Sequence, residues 1–142
     1  MRAFTFSQVF MLIGMVLFAG CSGNVDTAGK LANALKKKGV NYTATEALAM
    51  PPLPMGYEAD EAIALTGDNL RVEIYRVESE KYFKIFHTAV MTAVVFDGAT
   101  PGTMRTKPIA RQPFIVVIRQ EPRPGGVKDA MDQIIPPAEA EK

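Results

Sequence analysis

The sequence predicts an α+β domain: a mainly antiparallel sheet of four or five strands, with two or three helices packed mostly on one face. Three observations carry this. Residues 60–79, DEAIALTGDNLRVEIYRVES, alternate apolar and polar side chains around a Gly-Asp-Asn turn, which is the pattern of a β-hairpin. Residues 26–38 and 79–91 repeat apolar side chains at three- and four-residue spacing, the pattern of helices with one buried face. Residues 114–118, FIVVI, are continuously apolar over the length of a short strand.

The first helix is predicted over 26–38. Asp26 stands at the N-cap position, Ala28, Leu31, Ala34 and Leu35 share a face, and Gly39 supplies a left-handed stop. Lys36, Lys37 and Lys38 oppose the negative end of the helix dipole. That explains the triplet as a helix-end and solubility feature; contact with anionic headgroups is the other reading. Residues 40–46 alternate Val40, Tyr42 and Ala44 and read as a strand. Residues 50–56, MPPLPMG, hold three prolines in five positions, so helix and central strand are excluded. They read as a rigid surface loop, with a polyproline-type recognition segment as the alternative.

In the hairpin, Ala62, Ile63, Ala64 and Leu65 lead into the turn and Leu70, Val72, Ile74 and Val77 leave it. Arg71, Glu73 and Tyr75 fall between them, which predicts one covered face and one wet face, with Arg71 and Glu73 paired on the wet one. Ser79 caps the second helix, whose Tyr82, Phe83, Phe86, Ala89 and Val90 point inward. Residues 93–96 fit a short strand or the end of that helix. Residues 104–108 fit an edge strand, and Arg105, Lys107 and Arg111 make a basic group beside it. The run 114–118 predicts a strand buried on both faces. A last short helix spans 127–134, with Val127, Ala130, Met131 and Ile134 inward. The helices 26–38 and 79–91 are expected on the same side of the sheet, covering the apolar face of the hairpin.

The chain holds 142 residues, 48% of them hydrophobic and 22% charged, with a net charge of +1. That length suits one domain, and so balanced a charge gives no reason to expect a nucleic-acid partner. A single cysteine, Cys21, excludes an internal disulfide, and a single histidine, His87, argues against a Cys/His metal site.

The cysteine closes an apolar run. Residues 9–19, VFMLIGMVLFA, follow a short segment carrying Arg2, and small residues then lead to Cys21. A membrane-spanning helix needs about 20 apolar residues. The shorter run, its basic start and its small-residue exit form a secretory signal peptide. The stretch Phe18-Ala19-Gly20-Cys21 resembles the lipobox of bacterial lipoproteins, with Phe18 where Leu is usual. The resemblance covers about the first 21 residues. It implies cleavage between Gly20 and Cys21, a diacylglycerol thioether on the sulfur, and often an acyl chain such as palmitate on the new α-amine. Ser22 in the next position implies the outer membrane rather than the inner one in a double-membraned cell. The alternative is a retained, anchoring helix over 3–20.

The predicted organisation is a signal peptide over 1–20, a lipidated cysteine and short tether over 21–25, one α+β domain over 26–135 and a tail over 136–142. Loss of Arg2 with the signal leaves the 15 Asp and Glu matched by an equal number of Lys and Arg. The element order is similar to that of small uncharacterised bacterial lipoproteins, a likeness of pattern that brings no activity with it.

Catalytic signatures are absent. Gly29-Lys30 is followed by Leu31 inside a helix, so it is no phosphate-binding loop. No G-x-S-x-G occurs, and H-E-x-x-H and C-x-x-C are impossible with one His and one Cys. Asp60-Glu61 and Glu78/Glu80 are paired carboxylates beside turns, where solvated charge is the default. His87 lies at the border of the second helix's apolar face, where a packed histidine is the ordinary case. The expectation is a lipid-anchored accessory or binding module of the cell envelope, with no cofactor and no metal. Its expected contacts are the membrane through Cys21 and an envelope protein. A small envelope enzyme using carboxylates and His87 is the alternative.

Overall fold

The computed structural model describes residues 23–49, 58–97 and 108–139. The elements follow as α1 (Ala28–Lys37), β1 (Ala44–Ala47), β2 (Glu61–Gly67), β3 (Leu70–Arg76), α2 (Glu80–Asp97), β4 (Ile109–Arg111), β5 (Phe114–Gln120) and α3 (Gly126–Ile134). The strands form one sheet in the order β1-β2-β3-β5-β4, and every neighbouring pair is antiparallel. This is the expected α+β class, with five strands and three helices among the described residues.

The hairpin forms as its sequence demands. Gly67 pairs with Leu70 across the two-residue turn Asp68-Asn69, and Asn69 takes a left-handed φ of 53°, which Asn tolerates better than most residues. Strand β5 is buried along 114–118, as its apolar run predicts. Successive side chains of a strand point to opposite faces, so this run feeds two separate cores. Phe114, Val116 and Ile118 join Val72 and Ile74 of β3 beneath α1 and α3. Ile115 and Val117 join Tyr75 and Val77 beneath Phe83, Phe86 and Val90 of α2.

This arrangement corrects two expectations. Segments 26–38 and 79–91 do not share a side of the sheet: α1 and α3 cover one face and α2 covers the other. The reason is β5, which is apolar on both sides and must be covered on both. The second correction follows from the first. The face holding Glu73 and Tyr75 is not wet; both side chains are buried on the α2 side of β3.

Other differences are local. The N-cap of α1 is Thr27, whose hydroxyl accepts from Lys30 N at 3.1 Å, and Asp26 instead pairs with Lys30 Nζ at 2.7 Å. Strand β1 starts only at Ala44, because the chain first completes the end of α1. There Val40 N donates to Leu35 O at 3.0 Å, and Thr43 N is the first group to reach β2, at Thr66 O. Helix α2 continues through 93–96 to Asp97. Tyr82 does not turn inward; it is 46% exposed.

Gly67 sits where the segment after α1 crosses the end of β2. A β-carbon there would lie 2.9 Å from Asn41 O and 3.2 Å from Tyr42 Cα, both backbone atoms. Gly67→Ala is therefore expected to cost about 1–3 kcal/mol, as overpacking does. Urea unfolding would show it as a lower midpoint with an unchanged slope.

Candidate functional site

The residues that the sequence singles out for attachment, Phe18, Ala19, Gly20 and Cys21, lie outside the described residues, as does Ser22. The structure does describe how the chain joins the domain just after them. Val25 packs against the α1/α3 core. Asp26 and Thr27 start α1, and the amide of Ala28 donates to Glu61 Oε2 at 2.7 Å. Glu61 is thus the partner of a free amide at the positive end of α1. Its other oxygen lies 3.5 Å from Arg76, which also reaches Glu78 at 3.4 Å. These contacts tie the start of α1 to the β2–β3 pair. Only Ser22, Gly23 and Asn24 stand between Cys21 and the docked Val25, a reach of about 14 Å at full extension.

Lys36, Lys37 and Lys38 lie at the opposite end of α1 and are all exposed. The ammonium of Lys36 stands 4.8 Å from the centroid of the Tyr42 ring. Among the described residues, Lys37 and Lys38 have no carboxylate within ion-pair distance.

An open depression of about 390 Å³ lies where α2 begins, lined by Glu58, Asp60, Val77, Glu78, Ser79 and Tyr82. Asp60 Oδ2 accepts from the amide of Glu78 at 2.7 Å, which holds the β3–α2 connection. The fold does not bring His87 to these carboxylates. Its ring is half-buried and stacks on Phe83, with centroids 6.4 Å apart and planes 20° apart. Glu80 pairs with Lys84 at 3.2 Å. Among the described residues no three His, Cys, Asp or Glu side chains are grouped to hold a metal ion, and no helix is long and apolar enough to cross a membrane. The Pro-rich segment 50–56, Arg105 and Lys107 lie outside the described residues. Of that basic group Arg111 alone is described; it pairs with Asp132 at 2.8 Å and so ties β4 to α3.

No family model matches the chain, and no curated protein or solved structure does either.

Sequence reasoning missed one buried polar cluster. Glu73, only 7% exposed, accepts from Tyr75 Oη at 3.0 Å and from Arg119 Nη2 at 3.1 Å, while Arg71 lies 3.9 Å away. The predicted Arg71–Glu73 pair is thus the loosest of its contacts. Burial pushes the Tyr75 phenol well above its ordinary value, and the adjacent Glu73 carboxylate adds to this. Period-two alternation places Glu73 and Tyr75 on one face, and Arg119 two positions after Val117 on the same face. What the pattern cannot supply is the β3–β5 pairing, which brings Arg119 across to Glu73.

Glu73→Ala leaves the Tyr75 hydroxyl and Arg119 without their carboxylate. It is expected to cost about 2–4 kcal/mol, against about 1 kcal/mol for Tyr75→Phe, which keeps the charge pair. Denaturant titration of the two single variants and the double variant would separate the contributions. The Arg111–Asp132 tie makes a second prediction. Hydrogen bonds from Lys128 and Arg111 hold the Asp132 carboxyl below its ordinary value. A lowered folded-state value contributes stability above the ordinary carboxylate range and loses it as the pH falls through the lowered value. The Tm advantage of the native chain over Asp132→Asn should therefore be full at neutral pH and vanish in strong acid.

Proposed function

We propose that the protein is a lipid-anchored module of a bacterial envelope, attached through Cys21, that works by surface contact. The observation that carries this reading is the position of the chain's only cysteine. It closes an apolar run too short to span a bilayer, in the order Phe18-Ala19-Gly20-Cys21. The fold is compatible with it: the domain begins at once after the attachment point, with Val25 already docked and no helix of its own suited to crossing a membrane among the described residues. One buried methylene contributes about 0.8 kcal/mol, and stable anchoring takes two chains or a chain and a basic patch. A diacylglyceryl cysteine meets that requirement on a single residue. Ser22 favours the outer membrane where the cell has two. An enzyme reading lacks comparable support, because His87 stacks on Phe83 away from the carboxylates at the start of α2.

Mass spectrometry of the mature N-terminus tests the proposal. A chain beginning at Cys21 with a diacylglyceryl mass is expected, and it should fractionate with membranes. Cys21→Ser should abolish both the added mass and cleavage at Gly20. An unmodified Cys21 behind an intact segment 1–20 would replace this reading with a retained anchoring helix. Crosslinking in cells, with the native chain and Cys21→Ser side by side, would then identify an envelope partner by its dependence on the anchor.

A further inference from the structure

We infer that the mature protein lies on its bilayer along α1, with Lys36, Lys37 and Lys38 against anionic lipid headgroups. The inference rests on the lipid anchor proposed at Cys21 and adds a second contact to it.

The geometry comes first. The lipid would sit at one end of α1, within the three-residue leash to Val25, and the triplet sits at the other end. Ten helical residues separate the two by about 15 Å. Ala28, Leu31, Ala32 and Leu35 bury the inner side of α1, which leaves Lys30, Asn33, Lys36 and Lys37 on its outer side, with Lys38 just beyond the helix. With the axis of α1 parallel to the membrane, the anchor and the triplet touch the same plane. A lysine stem is long enough to deliver its ammonium to the headgroups from that position.

Charge selects this side over the other. On the α1/α3 side Asp26 is paired with Lys30, Asp129 with Arg123, Asp132 with Lys128 and Arg111, and Glu61 with Arg76, while Glu121 is held by the amides of Gly125 and Val127. Lys37 and Lys38 have no such partner among the described residues, so they bring uncompensated positive charge. On the side where α2 begins, Glu78 is paired with Arg76 and Glu80 with Lys84, but Glu58 and Asp60 have no ion-pair partner among the described residues, and Lys81 is the one unpaired base beside them. Turned toward an anionic leaflet, that side would be repelled. The attraction acts within a Debye length, about 8 Å at physiological salt, so it operates only once the leash holds the domain at the surface. An acyl anchor combined with a basic patch is a recurrent two-signal arrangement. In this orientation α2 faces away from the membrane.

The test uses native lysines as probes. The mature lipidated protein is placed in vesicles of phosphatidylcholine alone, or of phosphatidylcholine with phosphatidylglycerol, and briefly acetylated. Reactivity is then read lysine by lysine by mass spectrometry. Lys36, Lys37 and Lys38 should lose about fivefold in reactivity in the anionic vesicles, and high salt should restore it. Lys81 and Lys84 should not change. Equal reactivity of the triplet in both vesicles, or protection of Lys81 and Lys84 instead, would overturn the inference. The same digest reports the Cys21 peptide. A missing thioether mass means that the anchor itself has failed; a thioether with an unprotected triplet means that only the orientation has.

Discussion

The structure depends on the burial of β5 from both sides. A strand apolar on alternate faces can rest on one layer of helix and leave the other face to water. A strand reading FIVVI cannot, because Ile115 and Val117 point away from the core that holds Phe114, Val116 and Ile118. Both faces of the sheet must therefore be covered where β5 and its neighbour β3 run. Helices α1 and α3 supply one cover and α2 the other. Removing either cover would expose several large apolar side chains at once, at roughly 1.5–3 kcal/mol for each.

The polar features sit where this layering leaves room for them. Glu61 and Arg76 occupy the end of the β2–β3 pair at which α1 begins, and Glu61 takes up an amide that the helix cannot satisfy itself. At the start of α3, Glu121 does the same for the amides of Gly125 and Val127. Two of the three described helices thus begin on a carboxylate held by the sheet or by the chain just after it. The chain end nearest Cys21 is therefore a braced part of the domain, and a lipid at Cys21 would act on the domain through a very short lever. Glu73 is different in kind. It lies on the α2 side of the sheet among apolar neighbours, and it is tolerated there because Tyr75 and Arg119 both donate to it.

Much of this was legible in the residues. The turn residues Gly67-Asp68-Asn69 marked the central hairpin, and Asn69 accepts the left-handed conformation found there. Apolar spacing located α1, α2 and α3 to within a few residues at most of their ends, save for the longer C-terminal half of α2. Less was legible where two neighbouring signals compete. Asp26 and Thr27 both make good caps, and the choice fell to Thr27 because Lys30 draws Asp26 into an ion pair. Val40 and Tyr42 alternate like a strand, yet the Val40 amide closes α1 on Leu35 O and pairing with β2 begins only at Thr43.

The sequence by itself determined the fold class, the central hairpin and the doubly buried strand, and it holds the single cysteine on which the proposed anchor rests. Each is a local property, readable from period, turn chemistry or position along the chain. Only the tertiary structure decided which face each helix covers, that Glu73 is buried with Arg119 as its partner, and that His87 stands apart from the carboxylates at the start of α2. The physical reason is the same throughout. A strand's pattern tells which side chains share a face, but only the pairing of distant strands and the packing of helices on them tell what lies opposite.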